Sequence, residues 1–207
     1  LLNIIRQKEY PVTFEYAGQE TATVHITAND GEAIENDIIY GSVSGKKSDE
    51  DGNALGGAVI GIFKTGTEKF TTENAIQTTV TAADGSFSFE KVPYGTWIIR
   101  EIESPKGYVL SEEEIAVTIG KVDEVVEIEL VNYFIKGNIE LTKVDKDYPD
   151  NKLIGAEFEV YADTNGDGKL DNGDKLLGTM TELDGGVYQM KELRYGKYLV
   201  REKTAPT

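Results

Sequence analysis

Cysteine is absent from the 207 residues, and histidine and tryptophan occur once each. Without cysteine there are no disulfides, thiol nucleophiles or cysteine-held zinc sites. The single histidine, His25, speaks against catalytic triads and histidine metal clusters, and it falls in a strand-like run. Positive charge is scarce: 21 Lys and Arg face 37 Asp and Glu, a net charge of −16. Nucleic-acid partners and anionic membrane surfaces call for the opposite balance; the surplus acidity serves solubility. No apolar run approaches the ~18 residues of a membrane span, so no membrane insertion is expected. Leu1–Glu9 has no signal-peptide architecture, and an exported protein is therefore expected to be represented here by a mature piece. No Gly-rich phosphate loop follows a strand and opens a helix, and Gly41–Gly45 is not a nucleophile elbow, because Val43 occupies its centre.

What remains is strand. Short alternating runs recur at Tyr10–Tyr16, Ala22–Ala28, Ala58–Lys64, Ile76–Ala82, Phe87–Phe89, Thr96–Ile102, Ile115–Ile119 and Glu124–Val131. Later runs are Ile139–Lys143, Ala156–Tyr161, Gly186–Met190 and Lys197–Glu202. Asp51-Gly52, Asp84-Gly85, Pro93-Tyr94-Gly95, Pro105-Lys106-Gly107, Asp184-Gly185 and Tyr195-Gly196 mark turns between them. Close-spaced strands with Gly/Asp turns predict an all-β, sandwich-like fold.

The chain repeats itself. Gly41, Lys47 and Asp49 recur as Gly137, Lys143 and Asp145, an offset of 96 residues, with Asn36 and Asn132 each five residues before the glycine. A domain-sized period predicts tandem units. Residues 41–136 hold one complete unit, 137–207 the front of another without its last strands, and 1–40 the closing strands of a preceding one.

Alternate residues of a strand share a face. Val43 shares one with Lys47, and Ile139 and Leu141 share one with Lys143. Ile128 and Leu130 share one with Asn132; Trp97 and Ile99 with Glu101; Tyr198 and Val200 with Glu202. Each unit thus ends an apolar stripe on a Lys and another on a Glu. Two arrangements satisfy this pattern. In one the pair sits at a sandwich rim with the lysine reaching out to water. In the other it is buried, which is costly without compensation.

The ordered set Gly-x5-Lys-x-Asp, Leu55-Gly-Gly-Ala58 or Leu153-Ile-Gly-Ala156, Asp-Gly, and Tyr-Gly-x-Trp/Tyr-x-x-Arg-Glu-x-x-x-Pro resembles the Cna B-type (SpaA-like) domains of Gram-positive surface adhesins and pilins. The resemblance covers essentially the whole chain and includes Gly107-Tyr108 and Asn132. It implies tandem immunoglobulin-like, prealbumin-like sandwiches and an extracellular place on a bacterial cell surface, anchored to the wall by another part. It further implies a spontaneous isopeptide bond between Lys47 and Asn132 assisted by Glu101. Lys143 and Glu202 are the second unit's counterparts without an Asn, and Asn36 an Asn without its Lys.

Such a reaction is a single turnover within the protein, not enzyme catalysis. Burial lowers a lysine pKa and raises that of a carboxyl group. A neutral amine is a nucleophile, an acid-form Glu101 polarises the carboxamide and shuttles the proton, and packing replaces a bimolecular encounter. By analogy with a disulfide the crosslink stabilises by roughly 4–5 kcal/mol. The expected role is a structural stalk among neighbouring repeat domains. The alternative is an adhesion module for a host protein or glycan. The simplest reading of the two partial units is a piece of a longer repeat protein; strand exchange between residues 1–40 of one chain and 137–207 of another is the alternative to test.

One stretch stands outside the repeat. Asp163, Asn165, Asp167, Lys169, Asp171 and Asp174 fall where a calcium loop places its oxygens, with Gly168 at the sharp turn and Lys169 supplying a backbone carbonyl. The expectation is Ca²⁺ held in a loop between two strands. A solvated acidic turn is the alternative.

Overall fold

The computed structural model describes residues 38–206, and no helix occurs among them. Tyr10–Tyr16, Ala22–Ala28, His25 and Asn36, and with them residues 1–37 of the expected preceding unit, lie outside the described residues. The described chain divides into two compact units.

The first unit is built from β1 (Tyr40–Asp49), β2 (Val59–Lys64), β3 (Gln77–Val80), β4 (Ser86–Pro93), β5 (Gly95–Glu103), β6 (Ile115–Ile119) and β7 (Val125–Asn132). They form two sheets, ordered β4-β1-β7 and β3-β2-β5-β6. Period-two alternation sends one face of each sheet inward. Val43, Ile60, Ile62, Phe87, Phe89, Ile99, Val117, Ile119 and Leu130 make the core, while Lys46, Glu127 and Glu129 point to solvent. Burying each large apolar side chain contributes roughly 1.5–3 kcal/mol. Trp97 packs against this core and donates its indole N–H to the Pro93 carbonyl at 2.8 Å.

The second unit contains β8 (Lys136–Thr142), β9 (Glu157–Ala162), β10 (Lys175–Thr179), β11 (Thr181–Glu182), β12 (Val187–Arg194) and β13 (Tyr198–Thr204). Its sheets are ordered β10-β9-β13 and β11-β12-β8. A smaller core gathers Ala156, Phe158, Val160, Met180, Tyr188 and Leu193, with Phe158 edge-on to Tyr188 at 4.8 Å.

The two units share local detail. Lys91 in β4 and Glu192 in β12 have positive φ, 52° and 58°. The register of the β1–β4 pair shifts between Gly41 and Val43, and that of β8–β12 between Met190 and Leu193. A residue in the left-handed region with a register shift is the mark of a bulge, which bends the strand. The bulge lets β4 and β12 run on past the short stretches expected from alternation. They differ in what lies beside the first strand. In the first unit β1 is flanked by β7 and β5 by β6; among the described residues β8 and β13 have no strand on the corresponding side.

Candidate functional site

β1 and β7 advance in the same direction. The Ser42 N–H donates to the Glu124 carbonyl at 2.7 Å at their start. Further along, Ser44–Lys46 and Glu127–Glu129 line one cavity of about 620 Å³. Continuing from there, β1 reaches Lys47 and β7 reaches Asn132.

Lys47 is 1% exposed, Glu101 2% and Asn132 1%. Lys47 Nζ stands 3.4 Å from Glu101 Oε1, and neither side chain reaches solvent. The rim arrangement therefore does not hold in the first unit. The lysine is enclosed, so the sandwich interior and not water surrounds the pair. Burial holds the Lys47 ammonium below its ordinary lysine pKa. The charge and hydrogen bond of Glu101, and the charge of Glu113, oppose that shift. Desolvation exceeds them because a cation loses its hydration on leaving water.

The Lys47 backbone is held on both sides. Its N–H donates to the Gly85 carbonyl at 2.8 Å, and its carbonyl accepts the Leu55 N–H at 2.9 Å. Gly85 has φ 76°, and a Cβ there would lie 2.2 Å from the Lys47 carbonyl oxygen. Only glycine fits the turn. The preceding Asp84 accepts from the Ser86 N–H at 3.0 Å and from its hydroxyl at 2.5 Å, and it pairs with Lys46 at 3.2 Å. Those bonds lower the Asp84 pKa to about 2. Asp49, the end of the Gly-x5-Lys-x-Asp pattern, is 4% exposed. It closes its own turn by accepting the N–H groups of Asp51 and Asn53 at 3.0 and 2.8 Å.

In the second unit Lys143 Nζ meets Glu202 Oε2 at 2.8 Å, but their side chains are 28% and 34% exposed. They open onto a cavity of about 670 Å³ whose walls include Asp145, Leu153 and Pro206. No Asn of the second unit corresponds to Asn132 among the described residues, and Asn36 lies outside them.

The acidic loop joins β9 to β10, as expected. It is wound on itself: Asp163 accepts from the N–H groups of Gly166 and Gly168, Asn165 from Asp167, Asp167 from Lys169, and Asp174 from Thr164 and Asp171. The donor set of carboxylates, one amide and the Lys169 carbonyl suits a hard cation. Among the described residues no group of three or more His, Cys, Asp or Glu side chains stands in a metal-holding arrangement. No described helix is long and apolar enough to cross a membrane.

Alternation gave no hint of two features. Thr81, 4% exposed, sits beside Leu55 and Ala58, and its counterpart in the second unit is a residue of another type. The short strands β10 and β11 lack a run of β-formers.

The SpaA prealbumin-like fold domain model matches residues 41–133 and 137–207. No curated protein matches. Among solved structures, the Bacillus anthracis TIE protein is 31% identical with a TM-score of 0.68, over 83% of this chain and 29% of that one. A streptococcal ancillary pilin is 24% identical with a TM-score of 0.43, over 99% and 65%. BcpA, the major pilin subunit of Bacillus cereus, is 16% identical with a TM-score of 0.39, over 81% and 89%. The chain thus spans less than a third of the first of these and just under two thirds of the second. Two tandem matches cover most of the chain and fall on its two immunoglobulin-like β-sandwich units: the chain belongs to the SpaA prealbumin-like domain family.

Proposed function

We propose that the chain is a stalk segment of a Gram-positive bacterial surface adhesin or pilin, and that its first unit is stapled by an isopeptide bond between Lys47 and Asn132. The observation that carries this reading is the enclosure of the Lys47 amine on β1 and the Glu101 carboxyl group on β5, 3.4 Å apart with no exposed side-chain area, with Asn132 buried at the end of β7, the strand beside β1. A lone buried ion pair is a weak contributor to stability, and one that can react gives a reason for its cost.

The proton of the Lys47 ammonium passes to Glu101, leaving an amine beside an acid. Lys47 Nζ attacks Cγ of Asn132, and Glu101 donates toward the amide as the carbonyl carbon becomes tetrahedral. The Nζ–Cγ bond forms, the Cγ–Nδ2 bond breaks, and ammonia leaves carrying one hydrogen that came from the amine. Glu101 still holds the proton it took from the ammonium, and it returns to the carboxylate when the departing ammonia takes that proton away as ammonium. The lowered pKa of Lys47 favours the nucleophilic form.

The load path follows from strand direction. Force entering at the start of β1 and leaving at the end of β7 would cross the Lys47–Asn132 bond, so the residues between them bear none. That suits a spacer under tension. Placement on the bacterial surface rests on the family.

Intact mass of the denatured wild type, with Lys47→Ala as control, tests the reading. A deficit of one ammonia in the wild type and none in the variant is expected. A wild-type mass equal to the bare sequence discards the bond and moves the ligand-binding alternative ahead. A ladder of covalent multimers would instead put Asn36 of one chain on Lys143 of another.

A further inference from the structure

We propose that the buried hydroxyl of Thr81 is a positioning group for the Lys47–Asn132 reaction. The inference rests on the isopeptide reading above.

The amine can reach its carboxamide only if β1 is fixed at Lys47, and Leu55 is one of the two backbone groups that fix it. Thr81 in turn fixes Leu55. Its hydroxyl donates to the Leu55 carbonyl at 2.9 Å and accepts the Ala58 N–H at 3.0 Å. Its own N–H donates to the Ala58 carbonyl, and its carbonyl accepts the Gly57 N–H, each at 2.9 Å. One residue therefore holds Leu55–Ala58, the loop that presses the Leu55 N–H onto Lys47.

The second unit arrives at the same arrangement by another route. Lys143 donates to the Gly186 carbonyl at 3.0 Å and accepts the Leu153 N–H at 2.9 Å. There the hydroxyl belongs to Tyr188, which is fully buried. It accepts the Ala156 N–H at 3.0 Å and donates to the Leu153 carbonyl at 3.4 Å. Glu182 takes the Gly155 N–H at 3.1 Å. Counted from Gly85 and Gly186, Tyr188 aligns with Phe87 and Glu182 with Thr81. The hydroxyl thus reaches the same two backbone groups from a different strand position, and simple copying of a repeat does not produce that. The arrangement points to a requirement of the lysine strand, met twice with different residues.

A group that acts only on stability lowers the unfolding temperature but leaves the rate of the folded protein unchanged. A positioning group alters that rate, since a misplacement near 1 Å costs on the order of a hundredfold. The experiment follows ammonia loss by intact mass during cell-free synthesis of the full chain, with circular dichroism confirming folding at each time. Thr81→Val keeps the shape and removes the hydroxyl; Thr81→Ser keeps the hydroxyl. Folded Thr81→Val is expected to react at least about tenfold more slowly, with the pH dependence of the rate unchanged, and Thr81→Ser within about twofold of wild type. A folded Thr81→Val that matches the wild-type rate, or a Thr81→Ser as slow as Thr81→Val, overturns the proposal. If Thr81→Val does not fold, Thr81→Ala decides: it removes the hydroxyl without setting a methyl against the Leu55 carbonyl, and a wild-type rate there overturns the proposal equally. A wild type that never loses ammonia instead defeats the isopeptide reading, and this proposal with it.

Discussion

Replacing Lys47 by Met together with Glu101 by Gln removes the nucleophile while leaving neither of the two charges buried alone. The double variant discriminates because its two possible effects have opposite signs. Lys47 and Asn132 lie 85 residues apart. A covalent tie closing a loop of that length stabilises by about 4.6 kcal/mol through the entropy it removes from the unfolded chain. For a domain of this size, each kcal/mol moves the unfolding midpoint by roughly 4–8 °C. The double variant is therefore expected to unfold roughly 20–35 °C below wild type. If Lys47 and Glu101 formed only a buried ion pair, neutral residues of similar volume would leave stability unchanged or raise it by roughly 1–4 kcal/mol. Trp97 is the only tryptophan and packs against the first core, so its fluorescence follows that unit through a thermal scan. A double variant that melts at or above the wild-type temperature refutes the reasoning.

Two further outcomes are expected. In Asn132→Ala the amine stays free, and burial keeps its folded-state pKa below the lysine value of the unfolded chain. Between those two values the folded state binds fewer protons than the unfolded one, so stability rises with pH through that window and levels off above about 10.4. Unfolding midpoints from neutral to alkaline pH, set against Lys47→Met/Asn132→Ala, check this; a difference between the variants that is flat or falls with pH contradicts it. For the loop at residues 163–174 we propose calcium binding on its oxygen pattern, and titration calorimetry should show a heat that Asp167→Ala abolishes. No heat with the wild type means that the loop is a solvated turn.

Strand parity is a local property, and it was readable: the sequence put Lys47, Glu101 and Asn132 on inward faces, and all three are buried. Depth is not local. A strand cannot state whether a neighbour will cover its end, which is why rim and interior both fitted Lys47. The bulges at Lys91 and Glu192 were hidden for a related reason, because the sheet and not the side chain imposes their positive φ. β10 ends through Gly178, where its register with β9 shifts, and β11 is two residues long, so neither carries a run of β-formers. Thr81 gave no signal because its equivalent hydroxyl comes from Tyr188, at a position that does not align.

The two units serve as each other's control on depth. Each ends its first strand on a lysine and its other stripe on a glutamate, and in each the pair meets. Only the unit with β6 and β7 closes over it; the one without their counterparts among the described residues leaves the pair open to water. A Lys–Glu contact alone therefore does not enclose the amine, and in the first unit β7 lies beside β1. β7 is the strand that ends on Asn132. In the proposed reaction, docking that strand both desolvates the amine and delivers the carboxamide. An uncovered Lys–Glu pair remains solvated, and the amine is turned into a nucleophile in the same step that supplies its target.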